Sequence, residues 1–302
     1  MVERASSRLS LVVLTHNRCE EVLRTLRFLQ ASAPGVPLIV VDNASTDDTV
    51  RRIRRQFPRV HLVCACANLG AAGRNLGVRA ASTEYVAFCD DDVCWLPDAL
   101  PRAQALLDRH PDVAVLSARV LVGPSAALDA ACALMAASPL AGEPDVGPAL
   151  TGFLAGACVF RSVAFRQAGG YWPALFLGGE ESLLALELLE RDWRILYAPD
   201  IVARHWPSKR RDASERRRLL ARNALLVAWM RLPWKAALQE AWASLIGLPG
   251  WRARWTAVED AFRHGRATGA RRRPVSARVA GQRSKVRRAQ RCSVRLSRPP
   301  SR

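Results

Sequence analysis

Four short apolar runs, each followed by polar or acidic side chains, constrain this chain more than any other feature of it. Leu9 to Leu14 runs into Thr15-His16-Asn17-Arg18, and Pro37 to Val41 into Asp42-Asn43-Ala44-Ser45-Thr46-Asp47-Asp48. Val60 to Cys64 precedes a Gly-rich turn beginning at Asn68, and Tyr85 to Cys89 ends at Asp90-Asp91-Asp92. Helical segments lie between them: Glu20 to Gln30 with Val22, Leu23, Leu26 and Leu29 at helical spacing, then Thr49 to Phe57, then Asn68 to Ala81. Such alternation predicts parallel βαβ units. Open parallel sheets bind ligands at the carboxyl ends of their strands, and the polar clusters fall on that edge.

Further along, Val113 to Leu116 reads as a strand, and the small-residue stretch up to Gly156 as loops approaching an acceptor. Gly179 to Leu189 reads as a helix opened by Glu180 and Glu181, and Trp193 to Tyr197 as a strand. Arg210 to Arg231 has the pattern of a basic amphipathic helix, and Trp229 to Trp255 holds five of the nine tryptophans. These shifts place expected boundaries at 1–207 for a catalytic domain, 208–262 for a helical extension and 263–302 for a basic tail.

The net charge of +18 suggests a nucleic-acid protein until it is located. Residues 263–302 carry thirteen Arg, one Lys and no acid, which leaves +4 for the first 262 residues. Few apolar anchors interrupt that tail, so disorder is expected there. No apolar run approaches the roughly 18 residues of a membrane span. Met1 to Ser10 lacks the features of a secretory signal, so a cytoplasmic enzyme is expected, with peripheral attachment to the cytoplasmic face of a membrane as a further expectation. The eight cysteines show no C-x-x-C spacing and read as reduced, mostly buried side chains.

The strand-end clusters carry the candidate chemistry. Asp90 and Asp92, with one residue between them, are able to reach one hard cation, and repulsion within three consecutive acids is relieved by such a cation. The competing reading is a solvated acidic turn that caps a helix over Val93 to Leu96. Asp42 is placed to accept from a base imide or a ribose hydroxyl, while Asp47 and Asp48 favour the start of the next helix. Asn68 to Asn75 is neither a dinucleotide fingerprint nor a Walker loop, yet its glycines permit close backbone approach and Arg74 is available to phosphate. Glu180 and Glu181 offer a general base or, more plainly, complement a helix dipole. His205 is a lone histidine and a third candidate metal ligand.

Taken in order, Val12-Val13-Leu14-Thr15-His16-Asn17-Arg18, Val40 to Asp47, Asn68-Leu69-Gly70 with Gly73 to Gly77, Phe88 to Asp92 and Gly179-Glu180-Glu181-Ser182-Leu183 resemble the family-2 glycosyltransferases, inverting enzymes of the GT-A fold. The resemblance spans about residues 9 to 207 and implies a mostly parallel α/β sheet flanked by helices. It implies nucleotide-sugar contacts for Thr15, Asn17, Arg18, Asp42, Asn43, Ser45, Asn68, Gly70, Arg74, Asn75, Asp90 and Asp91. It also implies a divalent metal (Mn or Mg) on Asp92, Asp90 and His205, with Asp92 the direct ligand. The partners implied are a nucleoside-diphosphate-sugar and a glycan or lipid-linked acceptor. The family's base is the Asp of a Glu-Asp pair; Glu181 stands in that place here, with Glu180 as competitor.

Two other readings are weaker. A nucleotidyltransferase would place a Gly-rich basic loop directly after the first strand, where this chain has Thr15-His16-Asn17-Arg18. A non-catalytic nucleic-acid or polyanion binder would act through the tail alone. The tail reads more as an electrostatic arm for an anionic membrane or polymer, or as an extension without a specific role. The Trp-rich stretch reads equally as an interfacial helix beside lipid or as a helical cap packed on the catalytic domain.

Overall fold

The computed structural model describes residues 7–207, 213–264 and 272–296. Strands β1 (Leu9–Thr15), β2 (Leu38–Asp42), β3 (His61–Cys64) and β4 (Tyr85–Asp90) lie in the order β3-β2-β1-β4 with every pairing parallel. Their apolar runs are continuous rather than alternating because helices cover both faces of this half. Helix α1 (Cys19–Ser32) buries Val22, Leu23, Leu26 and Leu29, the stripe read in the sequence. Helix α2 (Thr49–Gln56) follows β2, and a 3₁₀ turn (Gly70–Gly73) runs into α3 (Arg74–Ala80). Gly77 of α3 lies against the sheet so closely that a Cβ would meet Val12 Cγ1 at 2.3 Å.

Beyond β4 the sheet becomes mixed. Strand β5 (Val93–Trp95) takes the place of the helix weighed for Val93 to Leu96. After α4 (Ala99–Arg109) comes β6 (Val113–Val122), then the short strand β7 (Ala127–Leu128), helix α5 (Ala130–Ala136) and the hairpin β8 (Leu140–Glu143)–β9 (Gly147–Ala149). Strand β10 (Ala157–Arg161) inserts antiparallel between β4 and β6. Phe88, Phe153, Phe160, Phe165 and Tyr171 pack ring against ring around that insertion, with centroids 5.1–6.0 Å apart. Helix α6 (Ser162–Gln167) and α7 (Glu180–Glu190) precede β11 (Arg194–His205), a strand much longer than the Trp193 to Tyr197 run foretold.

Helices α8 (Ala213–Arg231), α9 (Trp234–Ile246) and α10 (Gly250–Arg263) then pack against one another. Leu226, Val227, Met230 and Leu232 join the same continuous core as the sheet. Residues 210–212 of the expected basic helix lie outside the described residues.

Residues 272–296 of the basic tail are ordered, where disorder was expected. Ala277–Leu296 is a helix, here α11, lying against α7 and β8. Its approach residue Val275, then Val279 and Val286, are buried at helical spacing, an apolar stripe hidden among the arginines. Ser276 donates to Glu190 Oε1 from its N–H (2.9 Å) and its hydroxyl (2.7 Å), and Arg278 donates to the Leu189 carbonyl (2.6 Å). Residues 265–271 and 297–302 of that tail lie outside the described residues. Among those described, no helix is long and apolar enough to cross a membrane. Cys89, Cys94, Cys132 and Cys158 are buried, whereas Cys64, Cys66 and Cys292 are exposed.

Candidate active site

The parallel registers bring the clusters together. Thr15 pairs with Asp42 across β1–β2, and Leu14 with Asp90 across β1–β4. The loops after β1 and β2 are then stitched by side chains. Asn17 donates its N–H to Ser45 Oγ (2.9 Å), and its Oδ1 accepts from the Thr46 N–H (2.7 Å). Asn43 donates to Asn68 Oδ1 and the Gly70 carbonyl and accepts from the Leu69 N–H. Asn17 holds a left-handed φ of 51° in this knot. Asp42 accepts from the Ser45 N–H through Oδ2 (3.0 Å). Its Oδ1 is buried without a hydrogen-bond partner among the described residues, a poised acceptor at a ligand-binding edge.

The acid loop divides into two environments. Asp91 and Asp92 are nearly fully buried, and Arg18 forks between them at 2.5 Å from Asp91 Oδ1 and 2.8 Å from Asp92 Oδ2. Thr15 Oγ1 donates to Asp91 Oδ2 (2.9 Å), and Thr25 of α1 to the Asp91 carbonyl (2.7 Å). Burial, reinforced by Asp92 and opposed by Arg18, pushes the Asp91 carboxyl up to about 7. At Asp92 burial acts in the same direction, but His205 and Arg18 outweigh it and hold this carboxylate far below its usual range. His205 arrives because β11 pairs antiparallel with β5, setting His205 opposite Val93 and its Nε2 3.5 Å from Asp92 Oδ1. The Trp206 N–H locks that corner to the Asp92 carbonyl (2.8 Å).

Asp90 points the other way. It pairs with buried Arg74, whose guanidinium is held charged by that carboxylate in spite of its burial. The β10–β4 ladder sets Ala157 opposite Cys89, so Gly156 falls beside Asp90, where a Cβ would lie 2.3 Å from Asp90 Oδ2. Gly156 thus makes room for the carboxylate, a role the sequence did not disclose. Asn75 is spent differently from Arg74: its amide brackets the Tyr171 backbone, donating to the carbonyl (2.7 Å) and accepting from the N–H (2.9 Å).

Gly178 and Gly179 lead into α7, with Gly179 at its N-cap; they take left-handed φ values of 84° and 85°. Glu180 is buried, and burial with Glu181 beside it pushes its carboxyl up to about 8. Glu181 is half-buried and is raised chiefly by desolvation. Glu180 Oε2 has no hydrogen-bond partner among the described residues. The loop before it is held by α8: fully buried Asn223 donates to the carbonyls of Leu175 (2.6 Å), Leu177 (3.0 Å) and Gly178, and Arg222 to those of Ala174 and Leu175. A single Asn on the buried face of an otherwise Leu- and Arg-rich helix was the available signal for this.

Asp92 with His205 beside it offers oxygen and nitrogen donors that suit a divalent cation, with Arg18 held between Asp91 and Asp92 and Arg74 on Asp90. Among the described residues, three possible ligand atoms within 4.8 Å of one another are found instead at His110, Glu143 and Asp145. Arg109 and Arg194 already neutralise the acids of this group.

Comparison with known proteins identifies the family and the fold. The model of the family described as glycosyl transferase family 2 matches residues 10–161. An uncharacterised glycosyltransferase of Haemophilus influenzae is 31% identical over 107 residues, covering 35% of this chain and 36% of that protein, so the match spans little more than a third of that relative. The N-acetylglucosaminyl-diphospho-decaprenol L-rhamnosyltransferase of Mycobacterium tuberculosis is 30% identical over 235 residues, covering 65% of this chain and 75% of its own. Among solved structures, the mannosyltransferase PcManGT from Pyrobaculum calidifontis, in complex with GDP-Man and Mn2+, superposes with a TM-score of 0.58 at 20% identity. That likeness of fold covers 98% of this chain and 89% of the mannosyltransferase.

Proposed function

Because the chain belongs to glycosyl transferase family 2 and is a glycosyltransferase of the GT-A fold, we propose that it moves a sugar from a nucleoside-diphosphate-sugar to an acceptor hydroxyl, inverting the anomeric carbon. The observation that carries this reading is the convergence of Asp42, the Asp90–Asp92 loop with Arg18 and His205, and the Glu180–Glu181 pair around one sheet edge.

In this reading the knot of Asn17, Asn43, Ser45, Asn68 and Gly70 shapes the nucleotide pocket, with Thr15 supporting it. The unpartnered Oδ1 of Asp42 accepts from the base or ribose. Arg18 and Arg74 supply positive charge beside the diphosphate, and Asn75 keeps the Arg74 turn tied to Tyr171. Asp92, with His205 and a neighbouring carboxylate, would hold a divalent cation, as the mannosyltransferase holds Mn2+. Such a cation stabilises the charge that grows on a departing diphosphate. The acceptor oxygen attacks the anomeric carbon as Glu181 removes its proton, and the bond to the diphosphate breaks on the opposite side. Glu181 is favoured over Glu180 because it is the more exposed of the two.

A lipid-linked acceptor is the preferred class, since the mycobacterial relative's name specifies a diphospho-decaprenol substrate. Eight free cysteines suit a cytoplasmic setting. The test is nucleoside diphosphate release from a panel of nucleotide-sugars, with polyprenyl-diphosphate-linked and free glycans as acceptors and with Mn2+ or Mg2+. Sugar transfer with one donor supports the reading; no transfer with any pair removes it.

A further inference from the structure

Helices α9 and α10 turn two apolar stripes toward solvent. On α9, Trp234, Leu238, Trp242 and Ile246 recur at every fourth residue, and Trp242 is 70% exposed. On α10, Trp251, Trp255 and Phe262 fall along one side, with Trp251 72% and Phe262 79% exposed. The opposite sides bury Ala237 and Ala257, so both helices are already packed on the protein by their other faces. Tryptophan is highly buried on average in folded proteins, and an extended apolar patch marks an interaction surface.

The charge around the stripes has one sign. Each acid on these two helices is taken by arginine: Glu240 by Arg283 and Arg287, Glu259 by Arg263, and Asp260 by Arg218. Lys235, Arg252 and Arg254 remain exposed beside the indoles. The Glu240 pairs also tie α11 to α9, and α11 exposes Lys285, Arg288 and Arg291 with no acid in its sequence. The Arg272 guanidinium lies over the rings of Trp229 and Trp234, 4.8 and 4.2 Å from their centroids. Indoles with cations beside them match a bilayer interface, where the ring sits at headgroup depth and the cation meets lipid phosphate.

We propose that the α9–α10 face docks this protein on an anionic lipid bilayer, with the two stripes in the headgroup boundary and the flanking Lys and Arg side chains on lipid phosphates. A second copy of the chain fits less well, because a two-fold contact would bring two surfaces of the same sign together. Helix α8 packs on both α9 and α10 and holds the loop before Glu180 through Arg222 and Asn223. The docking face and the Glu180–Glu181 helix therefore share one support. The proposal stands on the exposed surface and does not depend on the transfer reaction.

Co-sedimentation of the full-length protein with vesicles tests it. The protein binds phosphatidylcholine vesicles containing phosphatidylglycerol, binds pure phosphatidylcholine weakly, and is released by high salt. Its tryptophan emission shifts to the blue on the anionic vesicles. Combined Trp242→Ser, Trp251→Ser and Trp255→Ser substitution lowers partitioning roughly tenfold while the thermal melt is retained. Absence of wild-type binding, or equal binding by the triple variant, overturns the proposal. A wild-type dimer that dissociates in the triple variant, without lipid binding by either, also overturns it and assigns the face to a second copy.

Discussion

Two groups in this molecule set a histidine among acids, and they differ in everything except residue type. His110 follows α4, Glu143 ends β8 and Asp145 lies in the β8–β9 turn; Asp145 is met by His110 (3.0 Å) and Arg109 (3.2 Å), and Glu143 by Arg194. Asp90, Asp91, Asp92 and His205 lie at the carboxyl ends of β4 and β11, with Asp92 buried and its neighbour Asp91 pushed up to about 7 by burial. The first group is a solvated ion network, of a kind that contributes about 0–1 kcal/mol per exposed pair. The second buries the carboxylates of Asp91 and Asp92, with Asp90 half-exposed beside them, at an edge where no core-building purpose explains them. Location in the fold, rather than the ligand inventory, separates a site from a surface.

Substitutions should widen that contrast. The largest effect is expected at Asp92: Asp92→Ala removes divalent dependence and lowers kcat by about a hundredfold or more, as loss of a charge-stabilising group does. Metal titrations of turnover check this. Glu181→Gln is expected to lower kcat by about 10²–10⁴-fold with nucleotide binding unchanged, the signature of a lost general base. If Glu180→Gln gives the larger loss, the two glutamates exchange roles.

The pH profile sharpens the same pair. A base with a raised value works only when deprotonated, so kcat/KM should rise with pH above the ordinary carboxylate range. The stability sign follows separately: a carboxyl whose folded value lies above its unfolded one favours folding in acid, and that contribution is lost as pH rises through about 8. Thermal melts from pH 5 to 9 should therefore fall less steeply in Glu180→Gln than in the wild type.

Smaller again is Asn223→Ala, which leaves the carbonyls of Leu175, Leu177 and Gly178 short of a donor and costs about 1–3 kcal/mol of stability. As a positioning change it should lower kcat with KM for the nucleotide-sugar held, because the loop it supports leads into Glu180. The smallest effect belongs to the other ion network: Asp145→Asn should change stability by under about 1 kcal/mol and leave metal dependence untouched. A change in metal dependence there would undo the contrast.

Much of this was legible before the fold was known. The parallel half of the sheet follows from apolar runs and helical stripes that are local in sequence, and the strand-end clusters converge because parallel registers align their ends. What was hidden depends on partners distant in the chain. The antiparallel insertion of β10 places Gly156 against Asp90, and nothing in the residues near Gly156 announces that neighbour. The β5–β11 ladder carries His205 to Asp92 across more than a hundred residues, so the histidine alone was ambiguous. The last helix was misread because its arginines dominate the composition, while Val275, Val279 and Val286 do the anchoring.

The central claim is that the strand-end acids hold a nucleoside diphosphate together with a divalent cation. Calorimetric titration of UDP, GDP, TDP and CMP, each with and without Mn2+, into wild type and Asp92→Ala tests this most directly. One nucleotide should bind the wild type at least about tenfold more tightly with Mn2+, a difference of about 1.4 kcal/mol, and the variant should lose that dependence. Binding of no nucleotide, or the same Mn2+ dependence in the variant, would contradict the account.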